Sequence, residues 1–79
     1  MKIEVNLYAS LAKYLPKNSE GKPCIMEVGE GANVRQLLEQ LKVPSDVVKI
    51  IFLNGAHAGT DATLKDGDRL GVFPPVAGG

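Results

Sequence analysis

The chain has 79 residues, so it forms one small domain that buries only about 60% of the surface its unfolded form exposes. It is 44% hydrophobic and 23% charged, which excludes a disordered or fibrous chain, and nine basic residues balance nine acidic ones. Zero net charge, no Trp and 5% aromatic residues argue against nucleic acid or a membrane surface as partner.

The first stretch, KIEVNLY, alternates: Ile3, Val5 and Leu7 point one way, Lys2, Glu4, Asn6 and Tyr8 the other, as in a half-buried strand. This start lacks the apolar run of a signal peptide, and no apolar stretch approaches the roughly 20 residues that cross a bilayer. The expected address is cytoplasmic. ASLAKYLP follows, with Ala9, Leu11, Ala12 and Leu15 at helical spacing, and Pro16 limits the helix to about two turns. KNSEGKP reads as a polar loop. CIMEV reads as a second strand, with Cys24, Met26 and Val28 on one face and a hairpin partner in the first strand.

The strongest helical signal is NVRQLLEQL. Asn33 is an N-cap, and Gln36 three residues later completes a capping box. Val34, Leu37, Leu38 and Leu41 form one apolar stripe, and Arg35 and Glu39, one turn apart on the wet side, are expected to pair weakly. The stripe stops at Val43, before Pro44. SDVVK reads as a further turn of helix. IIFL then runs as a strand into Asn54-Gly55, the strongest short hairpin signal, and Ala56 to Ala58 return. TDATLKDGD is turn-rich, anchored by Leu64. RLGVF is the last strand, with Leu70 and Val72 on one side and Arg69, Gly71 and Phe73 on the other.

The order is strand, strand, helix, strand, short strand, strand. A crossover helix separates the first and last strands, so they are expected as parallel, central neighbours with the helix across one face. This is an α+β domain of the β-grasp type, over residues 1–73. Residues 74–79, PPVAGG, form a tail. Pro74 and Pro75 favour a stiff extended chain that cannot join the sheet. Six extended residues reach at most about 20 Å. Val76 and Ala77 are small and apolar. Gly78 and Gly79 have no side chain and fit a channel too narrow for any Cβ.

Order of elements, length, the LKDGDRLGVFPP segment and the terminal Gly78-Gly79 together resemble the ubiquitin-like sulfur-carrier family. The FPPVAGG ending is more similar to the small subunit of molybdopterin synthase than to the thiamine carriers, whose tails usually lack the Pro-Pro pair. The resemblance spans the whole chain. It implies that an ATP-dependent, ubiquitin-activating-like enzyme adenylates the Gly79 carboxylate, and that a cysteine desulfurase or rhodanese supplies the sulfur of a thiocarboxylate. It implies that a large catalytic subunit then takes up the tail and passes the sulfur to a pterin precursor. ATP belongs to the activating partner, and no cofactor or metal is expected on this chain. The chain is thus expected to carry the reactive atom, not to act as the enzyme. The resemblance also implies an apolar contact patch of Tyr8, His57 and Phe73, with His57 standing where the family favours an apolar residue.

Other readings compete. The same carrier chemistry could feed thiamine thiazole. A ubiquitin-like modifier would join Gly79 to target lysines, and a passive β-grasp module would leave the tail idle. His57 reads as a proton shuttle or ligand, or as a half-exposed hairpin residue; the lack of a partner histidine favours the second. Cys24 reads as a persulfide site or as buried filler, and its strand face favours filler. Asp61, Asp66 and Asp68 lack calcium-loop spacing and read as turn residues. Ser10, Ser19 and Ser45 with His57 do not make a hydrolase motif.

Overall fold

A computed structural model describes residues 1–15 and 24–75. The expected loop before Cys24 and the tail residues Val76, Ala77, Gly78 and Gly79 lie outside the described residues. Five strands are found: β1 (Lys2–Leu7), β2 (Cys24–Glu27), β3 (Ile50–Leu53), β4 (Ala56–Ala58) and β5 (Arg69–Phe73). They form one sheet in the order β2-β1-β5-β3-β4. β1 and β5 are parallel, with Val5 opposite Leu70 and Leu7 opposite Val72. The other pairings are antiparallel. Mixed sheet, single main helix α1 (Val34–Gln40) and crossover make the ubiquitin-like β-grasp expected from the sequence.

The alternation read from the sequence sets the two faces. Ile3, Val5, Leu7, Ile51, Leu70 and Val72 are buried and meet Val34, Leu37 and Leu38 of α1. Leu64, the one anchor of the turn-rich segment, is buried with them. Cys24 is buried at the start of β2, in keeping with a filler role.

The capping box forms at both ends of its reciprocal pair. Asn33 Oδ1 accepts from the Gln36 amide at 2.9 Å, and Gln36 Oε1 accepts from the Asn33 amide at 2.9 Å. The C-terminus comes earlier than the stripe suggests. The Val43 amide donates to the Leu38 carbonyl and the Lys42 amide to Glu39, both at 3.0 Å, while Lys42 has φ of 62°. This is a Schellman closure with lysine at the left-handed position where glycine is usual. Val43 is buried as the apolar residue beyond it.

Two local expectations change. Ala9–Tyr14 is a 3-10 helix, entered through Ala9 at φ of 51°, and only Leu11 of its spaced set is fully buried. Two short turns with a single core anchor have too little apolar contact to support an α-helix. Arg35 and Glu39 are not an ion pair; arginine preceding glutamate is the weaker orientation along a helix. Among the described residues the ion pair is Arg69 Nε to Glu4 Oε2, 3.8 Å, across β5 and β1.

The β3–β4 turn has Asn54 at φ of 54° and Gly55 at 82°, both positive as the favoured two-residue hairpin turn requires. Asn54 also ties the turn to β5. Its Oδ1 accepts from the Arg69 amide and its Nδ2 donates to Asp68 Oδ1, each at 2.9 Å. Asp68 Oδ2 accepts from the Lys65 amide and Asp66 Oδ1 from the Lys2 amide, both at 2.8 Å. Asp66 and Asp68 therefore organise backbone, as turn residues do. Among the described residues no helix is long and apolar enough to cross a membrane.

Candidate functional site

The face of the sheet opposite α1 carries the aromatic residues. In β5, Leu70 and Val72 point into the core, which turns Phe73 outward. The Tyr8 amide donates to the Val72 carbonyl at 3.1 Å, extending the β1–β5 pairing by one residue. Tyr8 thereby comes alongside Phe73. The rings stack with centroids 4.3 Å apart and planes 6° from parallel.

Phe52 continues the row. Its ring meets Phe73 edge to face at 5.8 Å and 87°, and meets His57 at 5.5 Å and 66°. Both geometries match the attraction between a positive ring edge and a negative ring face. The row Tyr8, Phe73, Phe52, His57 crosses from the end of β1 over β5 and β3 to β4. The structure thus places all three patch residues expected from the sequence on one face, and joins them through a fourth. Tyr8 is 43% exposed, and His57 is exposed at the sheet edge. Beside the row lies a shallow depression of about 240 Å³, bordered by Asn6, Tyr8, Phe52, Arg69, Gly71 and Phe73.

Sequence reasoning missed Phe52, although its signal was present. A two-residue Asn54-Gly55 turn fixes the register of the hairpin, so Leu53 faces Ala56 and Phe52 faces His57. With Ile51 in the core, Phe52 must share the outer face with His57.

The row ends where the chain leaves the sheet. The Phe73 carbonyl accepts from the Lys49 amide at 2.8 Å, the last backbone bond of β5. Pro74 is half-buried and Pro75 exposed, and neither has an N–H to extend the ladder. The segment toward Gly79 therefore starts beside an exposed aromatic surface. Among the described residues, no cluster of three His, Cys, Asp or Glu side chains is placed to hold a metal. What this face offers is apolar contact and a fixed point of departure for the chain.

The family model described as Mut7-C ubiquitin matches residues 1–78. No curated protein matches the chain. Several solved structures do. A Pyrococcus furiosus protein described as molybdopterin converting factor, subunit 1, is 32% identical over 96% of this chain and 99% of its own, with a TM-score of 0.73. The thiamine biosynthesis protein ThiS of Geobacter metallireducens is 31% identical over the whole of both chains, with a TM-score of 0.64. SAMP1 of Haloferax volcanii is 25% identical over the whole of both chains, with a TM-score of 0.73.

Proposed function

We propose that this chain, which belongs to the Mut7-C ubiquitin family and with it to the ubiquitin-like sulfur carriers, carries sulfur on the carboxyl group of Gly79. A carboxylate is a poor electrophile. Adenylation turns one of its oxygens into part of a leaving group: the carboxylate attacks the α-phosphorus of ATP and pyrophosphate departs. The outer sulfur of a donor cysteine persulfide then adds to the acyl carbon and displaces AMP, giving an acyl disulfide. A second thiol attacks the donor's cysteine sulfur, releases the thiocarboxylate and leaves the two cysteines as a disulfide. ATP and the catalytic groups belong to an activating enzyme, and a cysteine desulfurase or rhodanese supplies the sulfur. This chain contributes the side-chain-free end, Gly78-Gly79, which enters a narrow active site. It also contributes the small apolar Val76 and Ala77, the stiff Pro74-Pro75, and the face built on Tyr8, Phe52, His57 and Phe73.

The acceptor we infer is a pterin precursor, with this chain as the small, non-catalytic subunit of a molybdopterin synthase. In Helicobacter pylori, subunits 1 and 2 of a molybdopterin-converting factor form a protein–protein complex. The structure that matches there is 25% identical over the whole of both chains, with a TM-score of 0.59. The observation that carries this reading is the continuity of the aromatic row with the Pro74-Pro75 exit from β5. A partner seated on the row receives the end of the chain directly. Identity alone does not choose the acceptor, because 32% and 31% are equivalent.

The test is a sulfur-transfer assay with chain already carrying the thiocarboxylate. Mixed with the organism's large synthase subunit and the sulfur-free pterin precursor, it should yield the dithiolene and return to the carboxylate. If sulfur moves only to a thiazole synthase, the thiamine reading replaces this one. A thiol-stable isopeptide on lysine would instead favour a modifier, the reading to which the likeness to SAMP1 lends support.

A further inference from the structure

β5 lies between β1 and β3, and a glycine stands in its middle. Glycine weakens a strand interior, through entropy and through the packing it forgoes. Nothing in the backbone calls for it: Gly71 is not among the positive-φ glycines, which among the described residues are Gly31, Gly55 and Gly67. The reason lies above the sheet. A Cβ at position 71 would sit 3.3 Å from Tyr8 Cε2, closer than ordinary van der Waals contact. Gly71 pairs with Asn6 on one side and Phe52 on the other. The Tyr8 ring leans over this bare stretch of backbone to lie flat against Phe73.

We propose that Gly71 is a positioning residue of the docking face: by having no side chain, it holds the Tyr8 ring down in its stack with Phe73. The consequence for docking rests on the sulfur-carrier reading above; the consequence for Tyr8 does not. A side chain at 71 lifts the ring, breaks the parallel stack and roughens the surface that a partner covers. The domain stays folded, because Tyr8 is exposed and free to swing aside. Replacing a glycine whose φ suits other residues also reduces unfolded-state entropy, which offsets the lost ring contact. Docking should therefore fall while stability stays nearly level.

The experiment uses the full chain, with Gly71→Ala, Gly71→Val, Tyr8→Ala and the double variant Tyr8→Ala/Gly71→Ala. Proton NMR of the Tyr8 ring reads the stack, since a ring facing Phe73 at 4.3 Å carries strong ring-current shifts. Carrier-dependent ATP–pyrophosphate exchange by the organism's own activating enzyme gives KM and kcat. We expect the ring-current shifts of Tyr8 to shrink in Gly71→Ala and more in Gly71→Val. Tm should stay within a few degrees of the wild type. KM should rise about five- to tenfold in Gly71→Ala with kcat unchanged, because the tail is intact. In the Tyr8→Ala background, adding Gly71→Ala should change KM no further. Unmoved Tyr8 shifts in both glycine variants overturn the proposal. So does a moved ring with an unchanged KM, or an additive loss in the double variant. If the wild-type chain itself supports no exchange, the sulfur-carrier reading fails, and the Tyr8 shifts alone decide whether Gly71 positions the ring.

Discussion

The Tyr8 ring lies nearly parallel to the Phe73 ring, 4.3 Å away, although 64 residues lie between them in the chain. The contact exists because β1 and β5 run parallel, so both strands present their C-terminal ends at the same edge of the domain. The end of β1 supplies one aromatic ring and the end of β5 supplies the other, next to the prolines that lead toward Gly79.

Phe73→Ala separates folding from docking. Phe73 is half-buried, outside the core cluster, and contacts Tyr8 and Phe52. Losing two aromatic contacts should cost about 1–2 kcal/mol of stability. Partner binding should fall more, about 300-fold or roughly 3.4 kcal/mol, as expected of a central aromatic anchor. Urea unfolding and calorimetric titration against the large subunit provide both numbers. Similar losses in each would place Phe73 in the core.

Phe52→Ala should uncouple His57 from the rest of the row, since Phe52 alone touches both His57 and Phe73 among the four. We expect docking to weaken about tenfold, and a further His57→Ala change to add little in that background. In the wild-type background, His57→Ala should weaken docking measurably. An equal His57→Ala effect in both backgrounds would show that His57 contacts the partner independently of Phe52.

Asn54→Ala tests the opposite case, a turn residue whose side chain bonds β5 and its preceding turn and is no part of the aromatic row. It removes hydrogen bonds to Arg69 and Asp68 and leaves a methyl side chain at φ of 54°. Together these should cost about 2 kcal/mol, lowering Tm by roughly 10 °C. KM for activation should stay within twofold of the wild type at temperatures where the variant is folded.

The strands, their faces and the helix start were legible because each rests on local chemistry. Alternation sets the faces of β1 and β5, Asn54-Gly55 sets the hairpin, and Asn33 with Gln36 sets the first turn of α1. The helix end was not legible, because Lys42 accepts a left-handed conformation that glycine normally fills, and only the closing hydrogen bonds reveal it. Parity alone puts Tyr8 and Phe73 on the outer face. Phe52 required combining parity with the register of the turn. Gly71 could not be interpreted at all without knowing that a ring from another strand lies above it. Signals within one element are readable in sequence, whereas contacts between elements await the sheet order.

Deleting Gly79 should leave stability within about 0.5 kcal/mol, since a terminal glycine has no side chain to pack. The same deletion should abolish sulfur transfer.

The central claim is that the Gly79 carboxyl group accepts sulfur. Intact-mass spectrometry tests it most directly, on the chain incubated with its activating enzyme, ATP and a sulfur donor. The account predicts a gain of about 16 Da as one oxygen is exchanged for sulfur, located on Gly79 and absent when ATP is withheld. An unchanged mass under conditions where the same enzyme activates another carrier would contradict it.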